Sequence, residues 1–254
     1  GKNMNNQPMH ALASVITEKF IAASPKEAAA ALAALATHEV LLLIGGLKAQ
    51  SVVAVLNPMD PPKAAAVLRR LPLKQASYVL THLEVPQAAK LWKEFSVPYQ
   101  ERLTSVLEPA FVNLLKTAGG FAGDSVGNAM STDFVAVRTE TKVGELVSRL
   151  KNLPRKKLPL MCFVTGKDGS LKGSIPTAEL AFFGQQAVCG SVMNKARAVH
   201  PQDLLSTVQS IFSEEETACL PVTDEKGILI GALNKETLLA SAPAKKSLWA
   251  KLTK

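Results

Sequence analysis

The side chains that most often perform chemistry in proteins are scattered through this 254-residue sequence. The histidines stand apart from one another, and no Ser-His-Asp, Cys-His or paired-carboxylate pattern stands out, so we do not expect an enzyme. The cysteines are odd in number and set among apolar neighbours, which predicts buried thiols of a reduced compartment rather than disulfides or metal ligands. The residues concerned are His10, His38, His82, His200, Cys162, Cys189 and Cys219.

A net charge of +8 would suit a nucleic-acid-binding protein if it were concentrated on one surface. Residues 1–118 carry 12 basic and 8 acidic groups, residues 119–241 carry 13 of each, and the last 13 residues add four lysines and no acid. No basic run is interleaved with aromatic residues, as a base-stacking surface requires. We therefore expect no specific nucleic-acid partner.

Two further patterns bear on location and domain boundaries. The longest apolar stretch, "VLLLIGGL" at 40–47, is far below the roughly 20 residues that cross a bilayer. "GGFAGDS" at 119–125 is glycine-rich, but no G-K-[ST] follows it, so we interpret it as a linker rather than a phosphate-binding loop.

The first half of the sequence is periodic. From residue 59 it falls into lines of twelve: "MDPPKAAAVLRR", "LPLKQASYVLTH", "LEVPQAAKLWKE" and "FSVPYQERLTSV". Each line begins with a large apolar residue and has its prolines in the first four places. Because proline fits the first turn of a helix and not its interior, each line predicts a turn and then about two turns of helix. Such helices are marginal alone and should stack into a superhelix; an irregular bundle is the alternative.

The second half is duplicated. "VTGKDGSLKG" at 164–173 and "VTDEKGILIG" at 222–231 are related by an offset of 58 residues, and each predicts a hairpin. "VGNAMSTDFVAV" at 126–137 matches "CGSVMNKARAV" at 189–199, which places Met130 opposite Met193. Each copy is predicted to be a short strand, a helix, a two-stranded hairpin and a second helix. Pairing the copies about a pseudo-twofold axis would bury the apolar sheet face that each leaves open.

This order of elements closely resembles the cystathionine-β-synthase (CBS) domain, which occurs in tandem pairs. The whole chain resembles the cytosolic part of MgtE-type magnesium transporters, in which a superhelical helix-repeat domain precedes a CBS pair and a transmembrane pore. "LPLKQASYVL" and "VPQAAKLW" carry the match to the repeat. The expected fold is α+β and multidomain: an all-α superhelical repeat at 1–118, a linker at 119–125, CBS copies at 126–185 and 186–241, and a tail at 242–254.

The CBS resemblance implies an adenine nucleotide (ATP, ADP or AMP) in the cleft between the copies. The position of the family's ribose-binding carboxylate is occupied by Glu179 in the first copy and by Thr237 in the second. Because threonine cannot replace a bidentate carboxylate contact, the Glu179 side is the better half-site. Alternatively, Glu179 is only an acid in a first helical turn. The implied nucleotide-binding set is Glu179, Thr177, Val137, Pro221, Val222 and Thr237.

The MgtE resemblance implies a Mg²⁺ clamp between the repeat and the second CBS copy. Mg²⁺ takes oxygen ligands and commonly uses only one or two carboxylates. The candidate metal residues are Glu214, Glu215 and Glu216, with Glu84, Glu94 or Glu101 as facing partners; a solvated acidic corner is the alternative. The positive charge of the repeat departs from the acid-rich face of such a sensor.

Two functions follow as hypotheses. The first is a cytoplasmic regulatory module that forms a homodimer through its CBS pair and senses Mg²⁺ or an adenine nucleotide for a transporter. The second is a ligand-independent scaffold, because the repeat also resembles, more faintly, helical repeats of flagellar motor switch proteins. The tail "KKSLWAKLTK" is expected to lie on an anionic membrane surface or lead into a membrane segment; the alternative is that it packs back on its own domain.

Overall fold

The computed structural model describes the backbone of residues 17–241 and side chains through residue 238. The predicted basic tail therefore lies outside the described residues. The chain forms two compact units that divide between residues 119 and 120. Within residues 17–241, no helix combines the length and apolarity that crossing a bilayer requires.

The first unit is a series of short helices. From α2 to α9 every helix begins twelve residues after the one before it, so the predicted period holds from residue 25 to residue 117. The helices are α1 (17–23), α2 (Pro25–Ala33), α3 (Thr37–Ile44), α4 (Ala49–Leu56), α5 (Pro61–Leu68), α6 (Leu73–His82), α7 (Val85–Glu94), α8 (Val97–Thr104) and α9 (Pro109–Thr117).

The repeating residues hold this series together. Proline occupies one of the first two positions of α2, α5, α7, α8 and α9, where its missing N–H costs no helical hydrogen bond. Each helix makes its main contacts with the helix two places along. The large residue that opens each line is buried in the turn before a helix, at Met59, Leu71, Leu83, Phe95 and Leu107. This confirms the superhelical repeat.

Side chains at the third position of several helices reach back to earlier helix ends. Gln87 Nε2 donates to the carbonyls of Leu56 and Met59 at 3.0 and 2.6 Å, and the Tyr99 hydroxyl donates to Leu68 at 3.3 Å. Lys63 Nζ donates to the carbonyl of Leu35. Carbonyls at a helix end have no partner within the helix, so these bonds cap one repeat from another.

The second unit holds the two copies of the duplicated segment. The first contains α10 (Val126–Ala129), β1 (Val135–Arg138), α11 (Val143–Lys151), β2 (Met161–Thr165), β3 (Leu171–Pro176) and a 3₁₀ helix (Thr177–Phe182). The second contains α12 (Cys189–Val192), α13 (Leu205–Glu214), β4 (Cys219–Thr223), β5 (Leu229–Asn234) and α14 (Lys235–Ser241). In the first copy β1 pairs in parallel with β2, which pairs antiparallel with β3; β4 and β5 form the second hairpin.

Two elements differ from the sequence prediction. The opening strand of the second copy is reduced to a single parallel bridge between Val199 and Val222, because Pro201 follows and cannot donate to a ladder. The second helix of the first copy is a 3₁₀ helix, which the chain leaves at the extended residue Phe183 to begin the second copy.

The two copies meet through reciprocal backbone hydrogen bonds. Ser131 and Ala232 exchange two bonds of 2.8 Å, and the equivalent residues of the other copy, Asn194 and Ser174, exchange bonds of 2.9 and 3.0 Å. At the hairpin tips, Leu171 N–H donates to Gly227 and Leu229 N–H donates to Gly169. Each of these bonds has an equivalent in which the two copies exchange roles. This confirms the pseudo-twofold pairing.

A shared hydrophobic core lies under these bonds. Phe163 of β2 is fully buried and packs with Cys219, Leu229 and Ala232 of the second copy. Phe134 adds an edge-to-face ring contact to Phe163 at a centroid distance of 6.2 Å. Neither copy could bury this surface alone.

Candidate functional site

A cleft of about 510 Å³ lies between the copies. Its volume falls within the range of small-molecule sites, roughly 300–1,000 Å³. The lining combines apolar side chains with residues of both charges. From the first copy it takes Leu160, Met161, Ser174, Pro176 and Glu179, and from the second Asn194, Lys195, Ala196, Arg197, Glu215, Glu216, Thr217, Ala218, Cys219, Leu220 and Pro221.

The position of Glu179 is fixed by the strand-to-helix turn after β3. Pro176 ends the strand, and Thr177 begins the 3₁₀ helix. The Thr177 hydroxyl donates to the Pro159 carbonyl at 2.6 Å, which ties this turn to the segment before β2. Glu179 follows two residues later and is partly buried at the cleft.

Two cations of the second copy line the same cleft as Glu179. Lys195 and Arg197 lie on the segment between α12 and the Val199 bridge, and both side chains are exposed. Arg197 Nη1 donates to Glu214 Oε2 at 2.7 Å and lies 4.0 Å from Glu215 Oε1. Neither cation is among the residues predicted from the sequence; the available signal is their place after Met193 in "MNKARAV", just before the Val199 bridge.

The end of α13 brings two of the predicted metal residues into the same cleft. Glu216 has φ +47°, the one positive φ outside glycine among residues 17–241. Glu216 N–H donates to Ser213 and Thr217 N–H donates to Phe212, which together form a Schellman motif with glutamate where glycine is preferred. The turn directs Glu215 and Glu216 to the cleft lining.

The structure separates the rest of the predicted set. Pro221 joins Glu179 in the cleft, whereas Thr177 lines a different cavity in the first copy. Val137 and Val222 are buried in the core, and Thr237 is partly buried on α14 at the place equivalent to Glu179.

The described residues contain no group of three or more histidine, cysteine or acidic side chains that could hold a metal ion. All three cysteines are free and buried, as predicted. Burial raises the pKa of each thiol, to about 12 for Cys219. Cys219 therefore contributes a neutral wall to the cleft rather than a thiolate ligand.

Comparison with known proteins assigns both units. Residues 18–118 match the family described as the MgtE intracellular N domain, and residues 189–243 match the CBS domain family. A match to an MgtE N domain in the first unit is therefore followed by a match to a CBS domain in the second unit. The CBS match covers the second copy, and the first copy pairs with it through the reciprocal bonds described above. The MgtE N domain is by description intracellular, in agreement with the predicted cytoplasmic location.

Several known proteins are similar to this combination. The magnesium transporter MgtE of Thermus thermophilus is 25% identical over 143 residues, 56% of this chain. The match spans about a third (32%) of that relative's length. The cytosolic domain of the Mg²⁺ channel MgtE in complex with ATP is 22% identical, with a TM-score of 0.47, over 89% of this chain and 99% of that one. The soluble part of a magnesium transporter is 16% identical, with a TM-score of 0.48, over 91% and 97%.

Proposed function

We propose that this chain is a non-catalytic, cytoplasmic regulatory module of magnesium transport and that the cleft beside Glu179 binds an adenine nucleotide. The order of an MgtE N domain and a CBS pair supports the link to a transporter. The similarity to a magnesium transporter supports it further. The transmembrane portion of such a transporter is the proposed partner.

The arrangement of charge in the cleft carries the proposal. A carboxylate at Glu179 can accept hydrogen bonds from two ribose hydroxyls. Lys195 and Arg197 of the second copy line the same cleft and can attract phosphate oxygens. Leu160, Met161 and Leu220 provide an apolar surface for a base. The Glu179 side therefore offers a partner to each part of an adenine nucleotide.

We further propose that Mg²⁺ binds in the cleft together with the nucleotide phosphates. Mg²⁺ usually takes one or two carboxylates plus substrate phosphates, and Glu215 and Glu216 line the same cleft. Glu214 is paired with Arg197 at its edge. A clamp to Glu84, Glu94 or Glu101 of the repeat stays a prediction.

The experiment is calorimetric titration of the full chain with AMP, ATP and Mg²⁺, separately and combined. Glu179→Gln should weaken AMP binding about tenfold or more, since hydrogen bonds to a charged group contribute about 1.5–3 kcal/mol. Thr237→Val, at the equivalent position of the other copy, is the matched control and should keep the affinity of the intact chain. Heat signals indistinguishable from buffer with every ligand would overturn the proposal.

The second candidate function is a scaffold. Leu42 and Leu43 are 81% and 48% exposed on α3, and Val97 is 65% exposed on α8, so the repeat presents apolar side chains that a protein partner could cover. Capture of a partner that is indifferent to nucleotide and Mg²⁺, and lost in Leu42→Ser, would favour this function. Homodimerisation through the CBS pair is also proposed, with sedimentation mass as its test.

A further inference from the structure

A second cavity lies within the first CBS copy, apart from the cleft beside Glu179. It measures about 490 Å³. Eight of its twelve lining residues are apolar: Val143, Val147, Leu150, Leu153, Leu158, Leu180, Ala181 and Phe183. The other four are Lys151, Arg155, Thr177 and Gln185. An apolar cavity with a few polar groups is the usual form of a small-molecule site.

The fold explains why this cavity lies in the first copy. The residue equivalent to Leu150 in the second copy is Phe212, whose larger side chain is fully buried. There α14 also packs against α13. In the first copy a 3₁₀ helix that ends at Phe182 takes the place of α14, and the smaller Leu150 takes the place of Phe212, so the space beside α11 is less filled.

The polar groups of the lining define the ligand's charge. The Thr177 hydroxyl is already bonded to Pro159. Within residues 17–241 neither Lys151 nor Arg155 forms an ion pair, whereas the neighbouring Lys157 pairs with Asp133 at 3.6 Å. The cavity thus joins an apolar body to two cations without counter-charges. Charge complementarity calls for an anion attached to an apolar chain.

We propose that this cavity binds a small amphiphile with one anionic headgroup, a free carboxylate on an unbranched chain of about eight to twelve carbons. The chain occupies the space beside Val147, Leu150 and Leu180. The carboxylate lies at the mouth, within reach of Lys151 and Arg155. The site is independent of the nucleotide cleft.

The test is calorimetric titration of the full chain with octanoate, decanoate and dodecanoate below their self-association concentrations, and with decan-1-ol as the neutral partner. Each added pair of methylenes should tighten binding about tenfold until the cavity is full. Decanoate should bind at least about fivefold more tightly than decanol, since it alone engages the cations.

Variants separate the cavity from general surface attraction. Lys151→Gln with Arg155→Gln should lower decanoate affinity to the decanol value and leave decanol unchanged. Lys156→Gln with Lys157→Gln removes the same charge from neighbours outside the lining and should have little effect. Ala181→Phe should fill the cavity and abolish binding of both ligands, with its melting temperature as the folding control.

Three outcomes would overturn the proposal. They are equal affinity for decanoate and decanol, an equal loss in the two double variants, or binding to anionic vesicles with none to the free carboxylates. AMP titration of the Lys151→Gln, Arg155→Gln protein should match the unsubstituted chain, so this proposal and the nucleotide proposal fail independently.

Discussion

Arg197 and Glu214 form a hydrogen-bonded ion pair of 2.7 Å at the edge of the cleft between the CBS copies. Both side chains are about half exposed, at 50% and 56%, so the pair contributes at most about 1 kcal/mol to folding. A phosphate group that enters the cleft can therefore compete for Arg197 at small cost. The pair is better suited to ligand binding than to holding the fold together.

Arg197→Gln should lower ATP affinity about tenfold, because one charge-assisted contact to the phosphates is lost. Adenosine, which has no phosphate, should keep its affinity, and the free energy of unfolding should change by less than about 1 kcal/mol. Calorimetry and urea denaturation measure the two effects. Arg138→Gln, an exposed arginine on β1 outside the cleft lining, is the control. Equal losses for ATP and adenosine would contradict this role.

Glu216→Gly should stabilise the protein by about 1 kcal/mol, because glycine adopts the left-handed conformation of this turn without the steric cost of a side chain. Glu215→Gly, one residue earlier in right-handed helical conformation, should destabilise it by a similar amount. Urea denaturation compares the two. The same direction of change in both variants would show that charge, not backbone conformation, decides the effect.

Gly173→Ala should destabilise the second unit by about 1–3 kcal/mol. An added Cβ would lie 2.4 Å from the Asn194 carbonyl oxygen, at the reciprocal contact between the copies. Gly231→Ala should cost less, since its nearest neighbour is the flexible Met130 side chain. Gly184→Ala meets no atom within 4 Å and serves as the control. Thermal unfolding should rank the variants in this order, and a harmless Gly173→Ala would refute the tight pairing.

Gln87→Ala should cost about 1–3 kcal/mol, because the Met59 carbonyl loses its side-chain donor and the Leu56 carbonyl keeps only the Met59 N–H. Gln75 holds the same position in the preceding helix but is more exposed, so Gln75→Ala should change stability by less than about 0.5 kcal/mol. Chemical denaturation of the two variants measures the difference. Similar values for both would mean that the capping bond contributes little.

Burial of Cys219 should appear in the pH dependence of stability. Its thiol pKa rises from 9.0 to about 12 in the folded chain. The contribution of this buried, protonated thiol to folding stability is therefore complete below about pH 9. Above that pH the unfolded state loses its proton first, and stability falls by up to about 1.4 kcal/mol per pH unit until the folded thiol ionises. Unfolding free energies at pH 8–10.5, under reducing conditions, should therefore fall faster for the unsubstituted chain than for Cys219→Ala. Parallel pH curves for the two proteins would contradict the raised pKa of the Cys219 thiol.

The fold was largely predictable because its signals are periodic. Prolines such as Pro61 and Pro109 mark helix starts, and the offset of 58 residues between two hairpins marks a duplication. Both are local steric rules repeated often enough to be read from one sequence. The 3₁₀ helix at Thr177–Phe182 was not predictable in this way, because the path of the chain into the second copy overrides a helical pattern.

The site was less predictable than the fold. Glu179 and Pro221 could be placed by position within the CBS pattern, and both line the cleft. Val137 and Val222 are on strands whose alternating directions turn them into the core. Lys195 and Arg197 reach the cleft only because pairing of the copies carries their segment across the β3 end of the other copy, a relationship between distant residues that no short motif records.

The twelve-residue spacing of the helices has a mechanical meaning. Each helix from α2 to α9 packs mainly on the helices two places before and after it, so the main interfaces of this unit are local ones. Small rotations between successive helices can therefore add up along the repeat. A displacement at one end of the repeat would be distributed as small shifts at many helix–helix interfaces, and no single interface would have to break.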